Sequence, residues 1–283
     1  MRRLMPAVLC LQLVTWVGAP TSVVAQTCDS LRPFDRSRFS HSTRIDNQWL
    51  PLAPGARFVL EGRSNRGGGV LPHQVILTVT DLTKVIDGVR TVVLWDQDVN
   101  EGEVEESELT FFAQDDAGNV WNFGEYPEEY EDGKFAGAPK TWIHGQDGAH
   151  AGFAIDAQPR LGGSAYNQGV APKIDFLDCA RVLQMDQRLC ISGTCYTSVL
   201  VMDEWSPNDP ASGHQRKFYA PAVGNVQIAA VDDPEDETLV LVKVVHLSPQ
   251  ELAEAREAAL ALERHAFQVN AVYRSTTPAE RGQ

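Results

Sequence analysis

Asp87-Gly88-Val89-Arg90-Thr91-Val92-Val93-Leu94-Trp95-Asp96 is the stretch that decides the fold. Asp-Gly supplies the positive-φ positions of a tight hairpin turn, and the β-branched run behind it suits a pleated, half-buried surface. The same grammar extends to both sides. Gln74 to Thr80 alternates as Gln-Val-Ile-Leu-Thr-Val-Thr, Asn100-Glu101-Gly102 turns again, and strands at 109–113 and 119–123 flank a loop at Asp115-Asp116-Ala117-Gly118.

A second run repeats this pattern. Thr91 to Asp96 is matched by Ser198-Val199-Leu200-Val201-Met202-Asp203. Phe111-Phe112-Ala113 with Gly118-Asn119-Val120 is matched by Phe218-Tyr219-Ala220 with Gly224-Asn225-Val226. Matches in one order predict an internal repeat, with halves at about 74–125 and 181–231 inside a β domain of 48–247. Further strands are expected at 57–61 and 238–246. Meanders of this kind leave open sheet edges unless they close. The expectation is therefore a mainly β protein, an antiparallel lipocalin-like barrel or two-sheet meander built from an internal repeat, with one C-terminal α-helix. The Gly- and Pro-rich stretch 126–172 between the halves is expected to be an irregular insert.

Ser248-Pro249-Gln250-Glu251 combines an N-cap serine, a first-turn proline and a capping-box glutamate. Leu252, Ala255, Ala259, Leu262, Ala266, Val269 and Tyr273 then share one face, which predicts a helix over 248–273 packed on the barrel. Residues 274–283 are expected to form a disordered tail.

The N-terminus reads as a secretory signal over 1–25. Arg2 and Arg3 precede an apolar stretch, and Val23-Val24-Ala25 offers small residues for cleavage. A further arm, 26–47, leads into the β domain. No later segment is long and apolar enough to span a bilayer, so the expected product is soluble and secreted or periplasmic. Four cysteines remain after cleavage, which suggests two disulfides in an oxidising compartment. Three pairings are possible. Cys190 and Cys195 sit at a hairpin tip where a short bridge is feasible, which leaves Cys28 for Cys179.

Charge is distributed unevenly. The chain has 38 Asp and Glu against 24 Lys and Arg, and residues 96–132 hold fourteen of the acids with no Lys or Arg. The rest of the chain is balanced, so the formal charge of −14 belongs to one stretch. This composition speaks against nucleic acid as a partner. A local field of one sign suggests a functional rim that attracts a cation or a cationic partner. Asp96, Asp98, Asn100, Asp115 and Asp116 are the candidate ligands of a calcium ion, which accepts irregular oxygen cages. No cofactor is otherwise indicated. The second-half counterpart, Asp203 to Gln215, has few acids, so the hairpin itself does not require the charge.

Trp142, Trp205, Glu106 and Glu108 are candidate contacts for a small ligand reaching the barrel through loops around 96–108 and 126–160. Trp49, Trp95 and Trp121, in apolar strand context, are expected in the core. His144, Asp147 and His150 could act as acid–base or metal groups of a hydrolase or lyase. Gly162-Gly163-Ser164-Ala165-Tyr166 fails the G-x-S-x-G pattern at its last position, and H-E-x-x-H and dinucleotide glycine motifs are absent.

Gln114-Asp115-Asp116-Ala117-Gly118-Asn119-Val120-Trp121-Asn122-Phe123-Gly124-Glu125 resembles a motif of uncharacterised secreted bacterial β-rich proteins, and Ile45 to Leu52 resembles their opening. That resemblance implies an exported β-rich fold and supplies no catalytic residues. The leading expectation is an exported binding protein with an acidic rim. A secreted hydrolase or lyase and an envelope interaction protein without a small ligand stand as alternatives.

Overall fold

The computed structural model describes Cys28, residues 31–65 and residues 67–282; the expected signal segment lies outside the described residues. Fifteen strands form, as β1 (Ala56–Asn65), β2 (Val70–Ile86), β3 (Val89–Asn100), β4 (Glu103–Gln114), β5 (Val120–Glu131), β6 (Lys134–Gly137), β7 (Trp142–Ile143), β8 (His150–Ile155), β9 (Tyr166–Ala171), β10 (Phe176–Ile191), β11 (Thr194–Trp205), β12 (His214–Ala220), β13 (Gly224–Val231), β14 (Thr238–His246) and β15 (Glu280–Arg281). The α-helix, α1, spans Pro249–Val269.

Twelve of these strands close on themselves. They run in the order β1-β14-β13-β12-β11-β10-β9-β8-β5-β4-β3-β2, and β2 pairs back onto β1. The ring is antiparallel throughout and leaves no free edge in the wall. β6 and β7 add to β5 outside the ring, and β15 adds to β2. The fold is thus the expected repeat-built barrel with a C-terminal helix.

The wall is inverted relative to a simple oil-filled barrel. Helix α1 and the segment after it lie on the outside, against β2 and β4. Leu109, Phe111 and Tyr126 face outward there and are buried all the same. Tyr273 lies between them and the helix, with ring centroids 5.0 Å from Tyr126 and 6.2 Å from Phe111. Lys84 is buried in the same layer. Its Nζ donates to Glu263 Oε1 at 2.8 Å and to the Thr277 carbonyl at 2.6 Å, and it sits 4.3 Å from the Tyr273 ring centroid. Burial lowers the pKa of Lys84 against the opposing pull of Glu263. Much of the apolar core therefore lies between the wall and its outer cover. Side chains alternate along a strand, so the opposite face of β3, β4 and β5 is left free to be polar.

The helix start follows the sequence. Ser248 Oγ accepts from the Glu251 amide and Glu251 Oε2 accepts from the Ser248 amide, the reciprocal capping box. Ala255, Ala259, Leu262 and Ala266 form the buried stripe. The helix stops at Val269 rather than running to Tyr273, which belongs to a separate 3-10 turn, Tyr273–Ser275.

Two expectations are corrected. The expected disordered tail is ordered as far as Gly282. Ala279 donates to the Glu263 carboxylate, β15 pairs with Leu82 and Thr83 of β2, and Arg281 ion-pairs with Asp81. The expected irregular insert 126–172 holds the end of β5 and supplies β8 and β9 to the wall. Its glycines serve close packing as well as turns. A Cβ at Gly152 would lie 2.4 Å from the Asn167 carbonyl, and one at Gly169 would lie 2.7 Å from the Trp142 ring.

One end of the barrel is floored by the N-terminal arm. Asn47 Nδ2 donates to the Gly118 carbonyl in the β4–β5 turn, and the Ala222 amide in the β12–β13 turn donates to the Gln48 carbonyl. These turns occupy matching places in the two halves of the repeat. Upstream, Phe34 and Phe39 pack edge-on against Trp121 and Phe123. Cys28 is bonded to Cys179 with a Cα separation of 5.8 Å, tying the arm to β10. Cys190 and Cys195, 4.0 Å apart at Cα, bridge the β10–β11 hairpin tip. Among the described residues no helix is long and apolar enough to cross a membrane.

Candidate functional site

The barrel is hollow. A cavity of about 280 Å³ lies above the floor formed by Leu50, Pro51 and Leu52. One side is apolar, with Phe58, Leu60, Val75, Leu77 and Leu94 among its lining. The other carries Asp96, Glu108, Glu125, Asp178 and Glu204 with a single ammonium, Lys217. The cavity continues into a cleft of about 470 Å³ at the far end, with which it shares Gln168, Asp178, Glu204 and Lys217. Lys140, Asp209, His214, Asp233 and Glu235 line that mouth.

Strand register explains how the acids come inside. Asp96 lies opposite Glu108, Asp98 opposite Glu106, and Glu106 opposite Glu129. Alternation puts all five on the inner face with Leu94 and Thr110. Glu125 needs an irregularity as well. The register of β4 and β5 shifts between Thr110 and Phe112, whose partners are Glu125 and Asn122. The extra residue is absorbed near Gly124, at φ 145°, where a Cβ would lie 2.5 Å from the Trp142 carbonyl. Asn122 and Glu125 thereby both point inward.

The pairing also refines the repeat. Phe112 pairs with Val92 in the first half and Tyr219 pairs with Leu200 in the second. Glu108 then opposes Asp96, and Gln215 opposes Glu204. The counterpart of Asp96 is Glu204, one residue beyond the Asp203 suggested by sequence matching. Asp203 is on the outer face, bonded to Arg181 at 2.6 Å and to His214 at 3.1 Å.

The inner carboxylates are poorly compensated. Burial raises Asp96 well above the usual carboxylate range, helped by Asp98 and Glu106, and its Oδ1 is buried without a hydrogen-bond partner. Burial likewise raises Glu108 well above that range, with Glu125, Glu106 and Asp96 adding repulsion; Thr110 donates to it at 3.1 Å. Burial raises Asp178 to about 7 with Glu125 contributing, and raises Glu106 to about 7 with Asp98 contributing. Glu125 is raised by burial despite the opposing hydrogen bonds from Asn122 and from Trp142 Nε1 at 3.1 Å. Glu204 has a close cation, Lys217 Nζ at 2.8 Å. Burial works against the charge of Lys217, but Glu204 and Asp178 outweigh it and raise its pKa. Toward the mouth, His73 lies between Asn100 at 2.7 Å and Glu237 at 3.0 Å; burial opposes its protonation, and Glu237 and Asp98 tip its pKa upward.

The sequence-predicted residues fall in several places. Glu106 and Glu108 are on the inner wall. Asp96, Asp98 and Asn100 share β3, but Asp115 and Asp116 are at the floored end, so the five do not form one ion site. Asp115 is a turn anchor, accepting from the amides of Ala117 and Asn119 and from the side chains of Asn119 and Trp121. Asp116 accepts from Ser40. Among the described residues no group of three His, Cys, Asp or Glu side chains is placed to hold a metal ion.

Trp142 and Trp205 are both buried: Trp142 stacks on Phe176 and holds Glu125, while Trp205, at the end of β11, stacks on His214 and lines the mouth cleft. Trp49 and Trp121 are buried as expected and Trp95 is half-buried. The stretch 96–108 is strand and hairpin, not an access loop.

The histidine segment lies apart from the cavity, with the His144 and His150 rings 6.1 Å from each other. His144 is buried outside the barrel with its ring 4.4 Å from that of Phe34, and its Nδ1 accepts from the Ala151 amide at 3.0 Å. Burial lowers its pKa. Asp147 is paired with Lys173, His150 is exposed, and none of the three lines the cavity.

Asp178, Glu204, Lys217 and Glu125 were not singled out in the sequence. The repeat carried a signal for two of them, since Lys217 and Glu204 flank the matched segments 198–203 and 218–220.

No family model matches the chain, and no curated protein matches it. Two crystal structures are similar in fold. One is a Bacteroides fragilis protein described provisionally as exported and as having a YmcC-like fold, at 13% identity, covering 70% of this chain and 99% of its own, with a TM-score of 0.38. The other, described provisionally as a lipoprotein of Parabacteroides distasonis, is 11% identical and covers 71% of this chain and 100% of its own, with a TM-score of 0.39.

Proposed function

We propose that this is an exported binding protein that holds a small amphiphilic molecule inside its barrel. The observation that carries this reading is the hollow itself, walled by apolar side chains on one side and ionisable ones on the other. Its volume, about 280 Å³, lies just below the range for small-molecule sites, about 300–1,000 Å³. The ring of strands is closed and the floor is occupied, so the cavity communicates with solvent through the mouth lined by Asp209, Asp233 and Glu235. The exposed acids Glu101 and Glu103, at the β3–β4 hairpin, belong to the same end. Export is supported by the basic and apolar start of the sequence, by the two disulfides and by the likeness of the 114–125 motif to secreted proteins.

The test is uptake of N-phenyl-1-naphthylamine, a neutral apolar dye that fluoresces in dry surroundings. One dye per chain is expected, with binding abolished by Leu77→Trp or Ile228→Trp, each of which places an indole in the hollow. Absence of uptake, or uptake unaffected by both fillings, would overturn the proposal.

A further inference from the structure

We infer that the ligand of this cavity is an organic cation: a molecule with one positively charged head and an apolar body. The inference rests on the reading that the barrel interior is the binding site, and goes on to fix the chemical class of what binds there. Five carboxylates share the hollow with one ammonium, and that ammonium, Lys217, is committed to Glu204. Asp96 faces the hollow with a buried oxygen that has no partner. A neutral donor could satisfy that oxygen but would leave the crowding of like charge in place, and an anionic ligand would add to it. A cationic head near Asp96 and Glu108 would remove both costs. Leu77, which pairs with Asp96, and Leu94 and Phe58 offer the adjoining surface for an apolar body.

The surroundings of these two acids reinforce the assignment. Asp96 senses Asp98, Glu106, Glu108 and the more remote Lys217; Glu108 senses Asp96, Glu106 and Glu125. Burial and the neighbouring acids raise both groups above the usual carboxylate range. A bound cation favours their ionised forms and so works against that shift.

Calorimetric titration of the full disulfide-bonded chain with octyltrimethylammonium, octanoate and octanol, at pH 7.5, tests this. The three probes share an apolar tail and differ in charge. The cation is expected to bind at least tenfold more tightly than octanoate or octanol. Asp96→Asn and Glu108→Gln should each weaken the cation at least tenfold and narrow its advantage over octanol. If octanol or octanoate binds as well as the cation, the inference is overturned while the barrel-binding proposal stands. If all three probes fail, the inference is again overturned, and uptake of the neutral dye decides whether the barrel-binding proposal falls with it.

Discussion

In the first half of the barrel, Asp96 faces Glu108 and Thr110 faces Glu125; in the second, Glu204 faces Gln215 and Lys217 faces Ile228. Both halves bulge at corresponding places, between Thr110 and Phe112 and between Phe218 and Tyr219. The backbones are alike, and the electrostatics differ. The second half puts one acid, Glu204, on the inner face of these strands and supplies Lys217 for it. The first sets acid against acid across neighbouring strands, an arrangement that destabilises a sheet. Since the same strand geometry is built in the second half without that repulsion, the architecture does not require it. Local costs of this kind are characteristic of sites kept for a purpose other than stability.

The comparison is broken most severely at Lys217. Lys217→Met leaves Glu204 buried without its cation and is expected to cost about 3–5 kcal/mol at pH 8 in urea unfolding, with most of the loss recovered by adding Glu204→Gln. Recovery by the second change is the essential part, because it separates an unpaired charge from a packing defect.

The opposite result is expected in the first half. Asp96→Asn with Glu108→Gln should stabilise the unliganded protein at pH 8 by about 1–3 kcal/mol, each kcal/mol raising Tm by roughly 2–4 °C. The pH dependence has a definite sign. Asp178 and Glu106 titrate near 7 in the folded chain, above the ordinary carboxylate value of about 4. The stability they contribute is complete below about pH 4 and is lost as pH rises through about 7. Thermal unfolding at pH 5 and pH 8 should show the wild type losing stability across this window, and the double variant losing less.

The smallest change is expected at Asp203. Asp203→Asn should leave dye uptake unaltered, because Asp203 and its partners Arg181 and His214 are on the outer face. Loss of dye uptake in this variant would show that Asp203, and not Glu204, is the interior counterpart of Asp96.

Much of the fold was legible because it rests on local signals. The Asp87-Gly88 turn, the alternating strands, the matched segments 91–96 and 198–203 and the capping box at Ser248 each act over a few residues. What was not legible depends on distant partners. β8 and β9 join the wall through Gly152 and Gly169, whose missing side chains make room for Asn167 and Trp142. The C-terminal strand is held by Asp81 and Glu263, far away in sequence. The site was half legible. Glu106 and Glu108 stood out by composition, but an apolar–acidic alternation in β4 ordinarily means apolar inside. Here Leu109 and Phe111 turn outward because α1 and Tyr273 cover them, and nothing in β4 itself announces that cover. Glu125 depends further on the irregularity at Gly124, which reverses the face of every later side chain in the strand.

The floor made by residues 45–52, pinned to the turns at Gly118 and Ala222, has a kinetic consequence. A tube open at both ends could load at one and discharge at the other, with separate gates for each. A cup has a single doorway, so arrival and departure cross the same barrier. Stiffening or widening the loops at 206–213 and 232–237 would then scale the two rates together, changing how long exchange takes while leaving the equilibrium constant where it was.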